Sequence, residues 1–192
     1  MKPTASREMP TKRMDARKRY TQMILKKSLL TLLQGKPINK ITVKEVCDLA
    51  ELNRATFYAH YKDCFHLLEH IENELIGTFA ESLKLVTSFD VSALIEAIYD
   101  LIEKNEEACR VLIFHNPTSS VIHEMIQLAR EKSIRYWKQE LKRASDIDID
   151  MLYTHLSNGL MRIVVDGYDR YEKEDVIRFV NRIVQNSFSL FQ

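Results

Sequence analysis

Apolar residues recur along this chain at three- and four-residue spacings, the period of amphipathic helices, and no stretch shows the strict alternation of a half-buried strand. From Asp15 onward Ile24, Leu25, Leu29, Leu32 and Leu33 fall on one helical face, until Gly35 and Pro37 stop the pattern. Thr42-Val43-Lys44-Glu45 follows as a Thr-x-x-Glu capping box, in which hydroxyl and carboxylate each satisfy a backbone donor left over at a helix start. It predicts a short helix from Val43 to about Ala50, with Val46, Cys47 and Ala50 turned inward. Asn53 is a second N-cap, opening another short helix over Arg54 to Tyr61. Two short helices joined by a turn of three or four residues make a helix-turn-helix.

Beyond Asp63 the helical period continues, predicting helices near 64–87, 91–104, 106–115, 119–144, 150–170 and 174–191. The expected breaks are Ser88-Phe89-Asp90, Asn105, Asn116-Pro117 and the acidic run from Asp146 to Asp150, with Asp90, Ser119 or Ser120, and Asp150 as caps. Residues 1–13 carry two prolines and no apolar period, and read as a flexible basic arm. The expectation is therefore an all-α chain: the arm at 1–13, a helix-turn-helix head at 14–63 and a larger helical body at 64–192. No fixed-period repeat supports a solenoid.

Charge sharpens this division. The 192 residues hold 28 Lys and Arg against 27 Asp and Glu, but the near-balance hides a partition. Residues 1–62 carry 14 basic against 5 acidic side chains, a net of +9, and the remainder carries 14 against 22, a net of −8. A basic module of that kind suits a polyanion, and an acidic body suits a different task. Three cysteines, Cys47, Cys64 and Cys109, form no even framework and no Cys-x-x-Cys pair, which fits a reduced compartment. No apolar run reaches the roughly 18 residues of a membrane span, and the start lacks a secretory apolar segment, so a cytoplasmic protein with no membrane partner is expected.

Residues 19–70, and above all the stretch from Ile41 to Asp63, resemble the DNA-binding domain of the TetR family of transcriptional regulators. The shared pattern is a Thr cap, an apolar-Ala helix, a polar cap, and then Thr56-Phe57-Tyr58-Ala59-His60-Tyr61. The chain departs from it at Glu51 and Ala55, where glycine is usual, at Cys64, where a lysine often meets phosphate, and at Phe65, where glutamate is usual. The resemblance implies a homodimer on double-stranded DNA, with the helix opened by Asn53 in the major groove. Arg54 is the candidate base contact, since a guanidinium pairs bidentately with guanine, although a phosphate contact is the competing role. Thr56 offers a methyl to thymine, and Ala55 allows close backbone approach. Tyr58 and His60 match the family's phosphate-contacting positions, Lys62 stands in for the missing lysine at 64, and Thr42 and Lys44 lie at a helix start that favours phosphate.

For the body, the resemblance implies an effector pocket and a dimer formed by the last two long helices. Candidate pocket residues are Tyr99, Cys109, Phe114, His115, Met125 and Trp137, an ordinary core being the competing reading. Candidate interface residues are Leu152, Leu156, Gly159, Leu160, Ile163, Phe179, Ile183 and Leu190, with an intrachain core as the alternative. One motif points elsewhere: His66-Leu67-Leu68-Glu69-His70 matches the inverted zinc-protease pattern. It stands alone, with no phosphate loop, nucleophile elbow or dinucleotide turn, so no enzyme, cofactor or metal is expected and a zinc hydrolase is a remote alternative. The expected function is a repressor that binds a palindromic operator as a dimer and is released by a small-molecule effector. The alternative is an activator or adaptor controlled by a partner protein.

Overall fold

The computed structural model describes residues 9–85, 91–115 and 119–191, and among these it is all-α with no strand. The breaks expected at Ser88-Phe89-Asp90 and Asn116-Pro117, and the cap at Asp90, lie outside the described residues. The chain divides into two compact units, one ending at Ile71 and the other starting at Glu72, so the division falls inside a helix.

In the first unit α1 spans Met9–Leu33, a 3₁₀ turn covers Ile38–Lys40, α2 spans Val43–Ala50, α3 spans Arg54–Tyr58, and α4 begins at Cys64. Helix α1 takes in residues 9–13, where an arm was expected. A proline in a first turn costs a helix nothing, because the missing N–H would have been unsatisfied there. Residues 1–8 of the expected arm lie outside the described ones. Helix α1 packs on α2, and the core they share with α3 and the start of α4 is built from Leu25, Leu29, Val46, Phe57 and Leu67, all fully buried.

The capping box forms as the sequence predicts. Glu45 N–H donates to Thr42 Oγ1 at 3.3 Å and Thr42 N–H donates to Glu45 Oε2 at 2.9 Å. Lys36 Nζ adds an ion pair to Glu45 Oε1 at 2.5 Å. The Lys36 bond first, then the Thr42 backbone and hydroxyl, hold the Glu45 carboxyl down at about 2. At the other end of α2, Glu51 sits in the left-handed region at φ 54° and ψ 38°. Leu52 N–H reaches Cys47 O at 3.0 Å and Glu51 N–H reaches Asp48 O at 3.4 Å, which is the Schellman arrangement with a glutamate at the usual glycine position.

The second unit holds the rest of α4 to Ser82 with a 3₁₀ turn at Leu83–Leu85, α5 at Ser92–Lys104, α6 at Glu106–Cys109 continued by a π-helical turn at Arg110–Phe114, α7 at Ser120–Glu140, α8 at Asp146–Gly167 and α9 at Lys173–Ser189. Helix α7 packs on α8, α5 on α9, and α8 on α9. The start of α5 has no cap of its own. Asn181 of α9 supplies one, its Oδ1 accepting Val91 N–H at 3.0 Å while its Nδ2 donates to Ser92 Oγ at 2.6 Å.

Two expectations are corrected here. The acidic run from Asp146 to Asp150 is no break: it is the first turn of α8, capped by Ser145, which exchanges bonds with Asp148 in a second capping box. Acidic side chains at a helix start are favoured by the exposed N–H groups and the helix dipole, so the run promotes the helix it was expected to interrupt. Asp150 therefore caps nothing and pairs with Arg130. Ser119 does precede α7, but its hydroxyl makes no cap bond, and α7 ends at Glu140, short of 144.

Replacing Glu51 with glycine should stabilise the protein by about 0.5–1 kcal/mol, since relief of a left-handed side chain outweighs the entropy glycine adds to the unfolded chain; a rise in the urea midpoint without a change in slope checks this. Because the Glu45 carboxyl is depressed on folding, its contribution is fully present above its ordinary value of 4.5 and is lost as pH falls toward 2. Urea titrations across that range should show Glu45→Gln losing less stability with acid than the parent does.

Candidate nucleic-acid interface and internal cavity

Helix α3 is only five residues long, too short to hold itself in water. Two contacts fix it. Asn53 Oδ1 accepts Thr56 N–H at 2.7 Å and the Thr56 hydroxyl at 2.9 Å, and Phe57 is wholly buried, its ring 5.7 Å from that of Tyr58 and 5.9 Å from that of Tyr61. With Phe57 anchored inward, α3 exposes two adjacent faces. Arg54 and Tyr58, four residues apart, share one, and Tyr58 is 57% exposed. Ala55 and Ala59 share the other, which borders a groove also lined by Asn53, Thr56, His60 and three residues of α1: Arg17, Lys18 and Thr21.

The predicted contact residues thus divide. Asn53, Ala55, Thr56 and His60 line the groove, whereas Thr42, Lys44, Arg54, Tyr58 and Lys62 lie on the surface outside it. Tyr61 is 3% exposed and belongs to the core. Burial, with the charge of Lys18, lowers His60 below the ordinary imidazole value, so near neutrality it offers a neutral ring rather than a cation. Sequence reasoning missed Arg17 and Lys18. Their signal is the polar face of α1 behind Ile24 and Leu25.

The His66/Glu69/His70 motif has a structural use at the start of α4. His66 N–H donates to Asp63 Oδ1 at 2.8 Å, capping the helix, and Lys62 N–H donates to His66 Nδ1 at 3.2 Å, which occupies one ring nitrogen. The Tyr61 ring lies 5.9 Å from that of His66 and 5.6 Å from that of His70. Among the described residues no three His, Cys, Asp or Glu side chains converge as a metal site. Burial pushes the Cys64 thiol up to about 11 and Cys109 to about 12, and raises Cys47, which leaves all three far from a reactive thiolate.

The second unit holds a partly open cavity of about 340 Å³. Phe79 and Leu83 close it from α4 and its 3₁₀ turn, Leu94 and Ile98 from α5, Met125 and Trp137 from α7, and Leu156 and Leu160 from α8. Trp137 is held by Phe188 at 4.9 Å edge-on and by Tyr153 at 5.6 Å. Of the six expected pocket residues, Met125 and Trp137 line this cavity and four do not. Tyr99 and Phe114 both stack on Tyr168, at 5.4 and 5.5 Å, with Arg110 over the Phe114 ring and paired to Asp169 and Glu106. Cys109 is fully buried and His115 is exposed, neither of them on the cavity. Tyr99 follows Ile98 directly, and one residue on a helix turns a side chain by about 100°, away from the cavity wall.

The expected interface residues also split. Leu156 and Leu160 face the cavity, so they serve this chain's own interior. Leu152 and Ile163 are half-buried, Gly159 is exposed with open space where a Cβ would stand, and Phe179, Ile183 and Leu190 are 52%, 38% and 76% exposed. Ile147 and Met151, overlooked in the sequence, extend the exposed apolar surface at the start of α8. No helix among the described residues is long and apolar enough to cross a membrane.

No model of a known protein family matches this chain. The uncharacterized HTH-type transcriptional regulator YxbF of Bacillus subtilis (strain 168) is 24% identical over 152 residues, covering 77% of this chain and 35% of that protein, so the chain spans about a third of that relative's length. The TetR transcriptional regulator of Streptococcus agalactiae 2603V superposes with a TM-score of 0.61 at 20% identity, covering 91% of this chain and 98% of its own. The dihydroxyacetone kinase operon activator DhaS does so with a TM-score of 0.53 at 16% identity, covering 90% and 98%. These similar proteins are transcription regulators rather than enzymes, and the chain has the fold of the TetR-family transcriptional regulators.

Proposed function

We propose that this protein is a DNA-binding transcription regulator that acts as a homodimer on a palindromic operator and is released by a small molecule held in the cavity of its second unit. The observation that carries the reading is the anchored α3, with Arg54 and Tyr58 exposed on one side and the Arg17–Lys18 groove on the other. Base-reading and phosphate-holding groups are thus offered together on one short helix and its neighbour. The exposed apolar residues of α8 and α9 support a dimer, which would present two such helices to half-sites about 34 Å apart. The apolar cavity supports a small-molecule effector, which must bind the DNA-incompetent state more tightly to act. Occlusion of a promoter by the bound dimer makes repression the expected sign. DhaS, of similar fold, is an operon activator, which favours activation as the second reading.

Fluorescence anisotropy with DNA from upstream of the protein's own coding region, scrambled competitor and two salt concentrations tests the core of this. Saturable binding that survives competitor and weakens with salt is expected. Binding no tighter than to scrambled DNA would sink it. Arg54→Ala should cost about 1–3 kcal/mol on the operator and erase its advantage over scrambled DNA, while Lys44→Ala should weaken both alike and lower the salt slope by about one. Phe179→Glu with Ile183→Glu should convert a dimer to a monomer in sedimentation and weaken operator binding; an unchanged sedimentation coefficient would place the interface elsewhere.

A further inference from the structure

We infer that the cavity of the second unit takes an amphipathic monoanion, a carboxylate whose aliphatic tail lies among the apolar walls and whose headgroup pairs with Lys132. This rests on the reading of the cavity as an effector site and adds the chemistry of its occupant. The walls are built almost wholly from aliphatic and aromatic side chains, and the volume, about 340 Å³, lies at the small end for ligand pockets. Among the described lining residues Lys132 is the one charged side chain, and no carboxylate stands among them to repel an anion or hold a cation. The remaining polar groups of the lining are the neutral hydroxyls of Ser133, Tyr136, Ser157 and Tyr153, the last donating to Ile126 O at 2.5 Å.

Lys132 is poised for such an exchange. Its ammonium donates to Leu83 O, at the 3₁₀ turn that ends α4, and Leu83 itself lines the cavity. A carboxylate is a stronger partner for an ammonium than a peptide carbonyl, because the bond is charge-assisted on both sides. The carbonyl it releases is at a helix end, where water can take over. A neutral headgroup offers Lys132 no more than the peptide carbonyl it already holds, and a cationic one meets repulsion. The lining thus sets an order: anion first, neutral second, cation last.

Trp137 supplies the readout, since it is the chain's single tryptophan and lies in the cavity wall. The full-length protein is titrated with decanoate, decanol and decyltrimethylammonium below their aggregation limits, following Trp137 emission. These probes share one tail and differ in the charge of the head. Decanoate is expected to bind at least about tenfold tighter than decanol, and decyltrimethylammonium weakest. In Lys132→Met the advantage of decanoate over decanol should vanish with decanol binding unchanged, whereas Lys132→Arg should keep it. Equal or tighter binding of decanol to the parent protein overturns the proposal, as does no Trp137 response to decanoate; this charge series decides without the variants. Operator binding is measured in parallel. The expected order with DNA affinity unmoved by decanoate would uphold the ligand class and overturn the effector reading, while failure of DNA binding leaves the Trp137 titration to decide on its own.

Discussion

Everything the first unit offers to a polyanion depends on the burial of one ring. A five-residue helix has too few internal hydrogen bonds to offset the entropy of forming it, so α3 persists because Phe57 is driven into the core and Asn53 closes its first turn. Fixing Phe57 fixes the rotation of the helix, and the rotation decides which side chains are outside. A slip of one residue would turn Arg54 and Tyr58 by about 100° and carry them off their exposed face. The aromatic neighbours Tyr58 and Tyr61 and the Asp63 cap on His66 then hold the chain on both sides of that anchor.

The second unit solves a different problem with similar means. Apart from the four-residue α6, its helices are far longer than α3, and their apolar stripes are wider than any one neighbour covers. Part of the surplus closes around a cavity, and part stays outside on α8 and α9. Side-chain caps set where two of these helices start, locally through Ser145 and Asp148 on α8 and over long range through the borrowed Asn181 on α5. The last of these ties the end of the chain to the entrance of α5, joining positions 90 residues apart.

How much of this was legible in the sequence follows the range of the interactions. The Thr42–Glu45 box and the Asn53 cap are contacts between residues three apart, and they stand where the pattern predicts. The Ser145–Asp148 box is just as local, but aspartate is a poor residue for helix interiors, so the acidic run reads as a break unless Ser145 is taken as its cap. Arg17 and Lys18 are not legible in the sequence because their relevance depends on α1 lying beside α3, a tertiary fact. The cavity was half-legible for a related reason. Met125 and Trp137 line it while Tyr99 and Phe114 stack on Tyr168, and residue type alone does not separate a wall from a core. Likewise Leu156 and Leu160 share a helix with the exposed Met151, and only packing tells which part of a broad apolar stripe turns inward.

The three thiols have a practical corollary. Each is at least 96% shielded from solvent, and burial holds each in its protonated form near neutrality. Maleimide and iodoacetamide dyes, which need an accessible thiolate, will find little to react with on the folded protein. A cysteine introduced at an exposed position, such as one on the outer surface of α9, would therefore take up a dye with little competing background. Paired with the lone tryptophan as an intrinsic donor, such a label would turn the native chain into its own distance gauge.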